Sequence, residues 1–394
     1  MNTGRYIFSQ MVDFLPKRKF ERMIDKRTKV GIPDPTLGWQ LSYWNQLLVL
    51  MFGQLDGYRS LRELTDITTA HKEKSFHLGF GKSGVNRSIL SRCNSYRDWH
   101  VFEEFAYYMI SLAQDARIGR EFCIKGKYYA FDSSTIDLCM GVFKWANFRS
   151  TKAGIKIHTQ FDIVTQIPRM VHVTEAKVHD VNAMDMIEYE PRAGYIFDCG
   201  YWDLKRLYRI NQLDAFFAIR EKRHPGYIVE SGIDFDDKSN VLRDETVRFT
   251  GKRNIENYPG KIRRIIAYIP DLHRTFTFYT NNFILSAEEI VFLYKNRWQV
   301  ELFFKWIKQH LRVTAFWGQS ENAVRIQIYT AICTYCLVAI IEHELNIERN
   351  IYEIMRVMGS SLLVKGDMAR LFLALENEPE QITNCQLTID FESD

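Results

Sequence analysis

The sequence has no cysteine framework. Its seven cysteines, at positions 93, 123, 139, 199, 333, 336 and 385, are odd in number and scattered. That excludes a small disulfide-stapled scaffold and fits a reducing compartment. Cys333 and Cys336 form a C-x-x-C inside the apolar run Ile326 to Ile341, with no second Cys or His pair at zinc-site spacing. Packing, rather than metal or redox chemistry, is expected of them. That run holds Gln327 and several threonines, is short for a membrane span, and reads as a buried helix. Proline is scarce, with 9 in 394 residues, while 46% of residues are apolar and 25% charged. Disordered, collagen-like and coiled-coil rod architectures are thereby excluded. The N-terminus lacks an apolar signal core, so a cytoplasmic location and no membrane partner are expected. No Gly-x-Ser-x-Gly elbow, His-Glu-x-x-His helix or complete phosphate loop is present, which weakens serine-hydrolase, zinc-protease and nucleotide-site readings.

Charge is plentiful but unevenly placed. The formal net charge is +4, yet residues 1–120 carry 18 Lys/Arg against 12 Asp/Glu, and the remainder 34 against 36. The densest stretch runs from Phe14 to Val30, where Lys17, Arg18, Lys19, Arg22, Lys26, Arg27 and Lys29 meet only Glu21 and Asp25. It also carries Phe14, Phe20, Met23 and Ile24, so it reads as a folded helical surface. Lys17, Arg18 and Lys19 are candidate phosphate contacts. The same pattern also describes an ordinary solvated helix face.

The periodicity changes along the chain. Residues 1–120 read as mostly helical, with Ser60 and Glu63 spaced for a capping box and a helix expected over Arg87 to Tyr96. After Gly126, strand-like runs alternate with short helices. Strands are expected at Lys127 to Ser133, Ile155 to Val164, Met170 to Thr174, Gly194 to Cys199 and Ala215 to Ile219, and a helix at Leu204 to Gln212. Tyr227 to Asn281 alternates more strictly and suggests an added antiparallel layer. One long helix is expected from Ser286 through Leu311, then the apolar helix and a helical tail. The fold class is α/β.

Three carboxylates stand out by position. Asp132 and Asp198 each end an apolar strand, where side chains from neighbouring strands converge. Glu301 lies in a helix among Val300, Leu302, Phe303 and Phe304, so it is expected to be largely enclosed. Tyr294, Arg297, Glu301, Lys305 and Lys308 recur at spacings of three or four and share one broad helix face. An acid flanked by cations suits a metal-bound phosphodiester: the acid takes the metal, and the cations and phenol meet phosphate oxygens. Mg²⁺ takes oxygen ligands, and two ions held by three carboxylates can activate water and stabilise a leaving oxygen. The alternative is a run of surface ion pairs.

Together these segments resemble the transposases of bacterial insertion sequences that use an Asp-Asp-Glu triad on a ribonuclease H-like fold. They resemble in particular the family with a Tyr-Arg-Glu-Lys signature. Here that signature is Tyr294, two residues, Arg297, three residues, Glu301, six residues, Lys308. Asp132 in FDSST and Asp198 in FDCGYWD fall in the places of the first two acids. The resemblance covers about 125–345 and implies a ribonuclease H-like core interrupted by a β-rich insertion, with helical N- and C-terminal parts. The divisions it suggests are 1–120 (basic, helical, DNA-binding), 121–222 and 284–345 (catalytic core), 223–283 (insertion) and 346–394 (helical tail). It implies that Asp132, Asp198 and Glu301 are catalytic and bind Mg²⁺, as two ions, with Mn²⁺ able to substitute. Tyr294, Arg297 and Lys308 would contact the DNA backbone. Trp298 would either stack on a base or pack in the core, the latter being favoured. His158 and His179 lie near the implied site or serve structural hydrogen bonds, and Asp162, Asp180 and Asp203 match no triad position. The implied reaction is nicking at the element ends, hairpin formation and 3′-hydroxyl strand transfer. Its partners are double-stranded DNA (terminal inverted repeats and target) and a second copy, as a homodimer on DNA. A nuclease of the same fold without transposition, or a non-catalytic DNA-binding descendant, would share most of these residues.

Overall fold

The computed structural model describes residues 4–29, 36, 40–82, 84–120, 122–149, 152–222, 224–235, 239–309 and 315–373. The expected tail beyond 373, Cys385, and the end of the long helix at Leu311 lie outside the described residues.

Six helices come first: α1 (Ile7–Val12), α2 (Lys17–Lys29), α3 (Tyr43–Asp56), α4 (Leu61–Ala70), α5 (Arg87–Tyr96) and α6 (Trp99–Ala116). Side-chain caps start most of them: Ser42, Ser60, Asn86 and Asp98 accept the first free backbone N–H groups of α3 to α6. At α4 the expected capping box is only half made. Ser60 accepts from the Glu63 N–H, but Glu63 accepts from the Arg59 N–H instead of closing back on Ser60.

A ten-stranded sheet follows. Its strands are β1 (Tyr128–Leu138), β2 (Asn147–Arg149), β3 (Lys152–Asp162), β4 (Ile167–Glu175), β5 (Gly194–Phe197), β6 (Phe216–Arg220), β7 (Tyr227–Asp234), β8 (Val241–Phe249), β9 (Ile262–Ile269) and β10 (Arg274–Thr280). Short helices α7 (Asp180–Ala183), α8 (Leu204–Gln212) and α9 (Lys252–Asn257) interrupt them. The order is β2-β3-β1-β5-β6-β10-β9-β8-β7, with β4 also on β3. β3 pairs antiparallel with both β1 and β4, while β5 and β6 run parallel to β1. The stretch expected to form an added layer instead prolongs this sheet, because β10 pairs antiparallel with the open edge of β6. An unpaired edge of buried N–H and C=O groups is costly, and the added hairpins satisfy it.

Period-2 alternation divides the sheet between two cores. Ala130, Ile196 and Ala218 face one side, and Tyr129, Phe131, Tyr195, Phe197, Phe217 and Ile219 the other. Leu204, Leu207 and Ile210 of α8 cover the aromatic side. The opposite side takes α10 (Ala287–Asn296), α11 (Trp298–Gln309), α12 (Glu321–Glu344), α13 (Ile351–Ser361) and α14 (Arg370–Leu373). Burial on both faces explains why the strands read as apolar runs.

Helix α12 is the hub, packing against α3, α5, α6 and α13. It is long and apolar enough to cross a membrane by length and composition, but 94% of its most apolar window is buried inside the protein. Cys333 and Cys336 sit on it at zero exposure, and burial pushes both thiols well up. Both behave as packing residues. Where α13 crosses α3, Gly359 permits backbone contact: a Cβ there would lie 2.5 Å from the Leu55 carbonyl oxygen. Gly359→Ala is therefore expected to destabilise the fold by about 1–3 kcal/mol through overpacking. The gain in helix propensity offsets part of this. A lowered midpoint in urea or thermal denaturation would show it.

Candidate active site

The sheet itself brings two of the acids together. Phe131 and Phe197 are register partners on parallel strands, so the next residues, Asp132 and Asp198, stand side by side. Alternation puts both on the face of Ala130 and Ile196, beneath α10 and α11. Asp132 accepts the Ser133 N–H at 2.8 Å. Asp198 begins a tight turn through Cys199–Tyr201.

The third element is not one helix. A complete capping box between Ser286 and Glu289 starts α10, as acids in a first turn favour. The expected continuous helix breaks at Arg297. Its N–H bonds the Tyr294 carbonyl, and its carbonyl takes the Val300 N–H, each at 3.1 Å. These three-residue bonds tighten the turn, while Arg297 itself keeps helical dihedrals, φ −55° and ψ −33°.

The signature side chains reach the carboxylates and β1 from both helices and from the turn between them. The Tyr294 hydroxyl donates to Asp198 Oδ1 at 3.0 Å. Arg297 donates to Asp132 Oδ2 at 2.9 Å and to Glu301 Oε1 at 2.5 Å. Lys308 Nζ donates to the Thr135 carbonyl on β1 at 2.7 Å. Asp132, Asp198 and Glu301 thus gather around one guanidinium. Exposure rises across the set, from 12% for the Arg297 side chain through 20% for Asp132 and 30% for Asp198 to 45% for Glu301. Glu301 is therefore not enclosed as expected. Val300, Phe303 and Phe304 turn to the core and leave it on the flank of α11.

The electrostatics are unequal. Burial pushes Asp132 up to about 6, against the downward pull of Arg297 and the Ser133 N–H. Burial also acts on Asp198, but Arg297, Arg220, the Cys199 N–H and the Tyr294 hydroxyl together hold it below the ordinary range. Burial lowers Lys308. Among the described residues no three His, Cys, Asp or Glu side chains stand together as a ready metal cluster. Arg297 lies where it bonds two of the acids at once. The donor set is nonetheless suited to Mg²⁺: three carboxylates, all hard oxygen ligands, with a cation already drawn to them.

Several site residues had no clear mark in the sequence. Arg220, at the end of β6, forms an ion pair with Asp198 Oδ1 at 3.0 Å and reaches Cys199 Sγ at 3.2 Å. An Arg closing an apolar strand beside an acid-bearing strand was the only available signal. Asp180, which matches no triad position, braces the site. It accepts from Ser133 Oγ at 2.5 Å and from Lys156 Nζ at 2.9 Å. Asp162 bonds the Val164 and Thr165 N–H groups, and Asp203 caps α8. His158 is fully buried, bonded to the Thr174 hydroxyl at 2.9 Å, and burial lowers it to about 4. His179 is exposed before α7.

Other expected residues lie apart from the carboxylates. Trp298 is 39% exposed, so it is not a core residue, and it lines a cleft with Lys305 on the adjoining face of α11. Lys17, Arg18 and Lys19 are exposed on α2, which packs on α3 and α6. Lys17 stands 3.7 Å from Glu21, and Lys19 lies over the Tyr108 ring.

Comparison with known proteins places the sequence in a family. The family described as the transposase DDE domain matches residues 126–337. A second family, described only as a domain of unknown function, matches residues 3–81. A Sinorhizobium fredii protein named as a transposase, y4zB, is 36% identical over 50% of this chain, and the alignment spans 56% of that relative's length. A Geobacillus stearothermophilus protein named as a transposase for insertion sequence element IS5377 is 26% identical over 74% of this chain and 80% of its own. A Synechocystis protein named for element IS4SA is 25% identical over 65% and 72%. The solved piggyBac transposase synaptic complex with hairpin DNA covers 95% of this chain and 84% of that one, at 10% identity and a TM-score of 0.46, too low to bear on fold. With the DDE domain spanning more than half of its residues and both acid-bearing strands, the chain belongs to the DDE-domain transposases.

Proposed function

We propose that this chain excises and integrates an insertion sequence, using Asp132, Asp198 and Glu301 as metal-binding catalytic acids. The observation that carries this reading is Arg297 bonding Asp132 and Glu301 while Tyr294 and Arg220 reach Asp198. Acids from three separate elements converge there. The strand order β4-β3-β1-β5-β6, antiparallel then parallel, supports a ribonuclease H-like core.

Mg²⁺, or Mn²⁺ in its place, would be held as two ions by the three carboxylates, and when bound supplies Lewis-acid stabilisation and a lowered water pKa. The side chains do the rest. Tyr294 fixes the orientation of Asp198. Arg297 and Lys308 offer donors to phosphate oxygens, and a guanidinium can take two of them as a fork. Ser133, Asp180 and Lys156 brace the stretch of β1 that carries Asp132. In-line displacement at phosphorus needs this positioning more than a protein nucleophile. The substrates on this reading are duplex element ends and target DNA, engaged by a homodimer in the cytoplasm. A 3′-hydroxyl freed by nicking attacks the opposite strand to give a hairpin, which is reopened before strand transfer.

Purified protein should be incubated with Mg²⁺ and a duplex carrying the element's own end. Nicked and then hairpinned strands are expected on a denaturing gel, followed by joining to a second duplex. Cleavage without joining would mean a nuclease. Binding without cleavage in either metal would mean a non-catalytic DNA-binding protein.

A further inference from the structure

A cleft of about 880 Å³ runs along the face of α11 adjoining the one that carries Glu301, between the end of α6, the end of α12 and helix α13; none of the three acids lines it. We infer that this cleft binds the phosphate oxygens of a single DNA strand continuing past the catalytic acids. The inference rests on the transposase reading for the identity of the ligand.

Two observations carry it. The first is a set of orphaned donors in the cleft wall. Arg117 Nε and Trp306 Nε1 are buried with no acceptor among the described residues, in side chains belonging to residues only 4% and 1% exposed. A buried donor without an acceptor costs about 1–3 kcal/mol; both donors belong to side chains that line the cleft, and a phosphate oxygen would satisfy them once a small side-chain shift exposed them.

The second is the balance of charge. Arg117 is paired with Glu342, and Arg349 lies 3.7 Å from Glu353. Arg120, Lys305 and Arg356 also line the cleft, and none has a carboxylate within ion-pair distance among the described residues. Against these three cations stands one acid of the same kind, Glu348. An anion is the ligand such a wall selects.

Size and continuity narrow the anion to a strand. A volume of this order holds a drug-sized molecule, hence a few nucleotides, and not a duplex. Glu301 and Lys305 lie one turn apart on α11, so a strand crossing Glu301 meets the cleft next.

The test is fluorescence anisotropy of the full chain with an oligothymidylate of about 12 nucleotides, without divalent metal, across a range of salt. The comparison is wild type against the double variant Arg120→Gln, Arg356→Gln. Each lost phosphate contact should reduce the salt slope by about 0.7 for a single strand, so the double variant should lose about 1.4. Binding at low salt should fall at least about tenfold. Both residues are exposed, so the thermal midpoint should hold, and Arg356→Lys should restore most of the slope. Unchanged affinity and slope in the double variant, or no oligothymidylate binding by wild type, would overturn the inference. Wild-type cleavage of the element end is scored separately. Cleavage with unaltered strand binding sinks the cleft alone. Weakened strand binding without cleavage supports the cleft and sinks the reading it rests on.

Discussion

Asp132→Asn is expected to abolish DNA cleavage and, at the same time, to make the metal-free protein more heat-stable at neutral pH. The first effect follows from the proposed role. Asn keeps one oxygen for Arg297 but loses the charge, and removing such an electrostatic group costs a factor on the order of 10³ or more in rate. DNA binding should change little. The second effect follows from burial. Asp132 is pushed up to about 6 from an unfolded value of 3.8. The folded state therefore holds the proton more tightly than the unfolded state. That contribution to stability is fully present below the unfolded value and is lost as pH rises through about 6. The whole span, about two units, is worth about 3 kcal/mol. Asn has no proton to lose, so its advantage should appear between about pH 4 and 6 and persist above. A pH series of thermal melts checks this: equal midpoints at pH 4 and a gain of a few degrees for the variant at pH 8. A variant less stable at pH 8 would mean that the Arg297 pair outweighs burial. Mg²⁺ should raise the wild-type midpoint and leave that of the variant where it was.

This trade between stability and function also shows what a sequence can reveal. Helices α5 and α8 begin and end where their caps and apolar spacing predict, because those signals are local. Asp132 and Asp198 could be picked out because an acid in an apolar strand run is an exception to pattern, and exceptions mark sites; only Asp198 follows the end of its strand, whereas β1 continues past Asp132 to Leu138, paired with β3. The spacing of the Tyr-Arg-Glu-Lys residues was equally visible. What the spacing could not disclose was the break at Arg297, since a periodic pattern assumes a straight helix. Trp298 faces a cleft and not the core, and Lys305 shares that cleft. The extension of the sheet through β10 was hidden for a different reason. Strand order depends on pairing between residues far apart, such as Thr280 with Ala218, and alternation alone is silent on partners. Arg220 was missed likewise: its importance comes from β5 lying beside β6.

Arg297→Ala carries the second large expectation, and its sign with pH ties the site together. The Arg297 side chain is 12% exposed and bonds Asp132, itself 20% exposed, and Glu301. Removing the cation leaves Asp132 as an unpaired buried charge. Breaking a buried pair from one side costs about 3–5 kcal/mol. The lower end applies here, because Glu301 is 45% exposed and its pair with Arg297 is worth little. The loss should be full at pH 8 and small at pH 4. Without Arg297 the pKa of Asp132 rises further, and a protonated Asp132 no longer needs the partner. Urea denaturation at both pH values measures the difference. In the Asp132→Asn background the same Arg297→Ala change should cost at least about 1 kcal/mol less, a coupling expected of residues in contact. Arg297→Lys should recover part of the stability but little of the cleavage, since an ammonium is a point charge and cannot fork between two acceptors. An equal loss at pH 4 and pH 8 would mean that Arg297 holds the fold by packing, and the carboxylates would then have to be neutralised by another group.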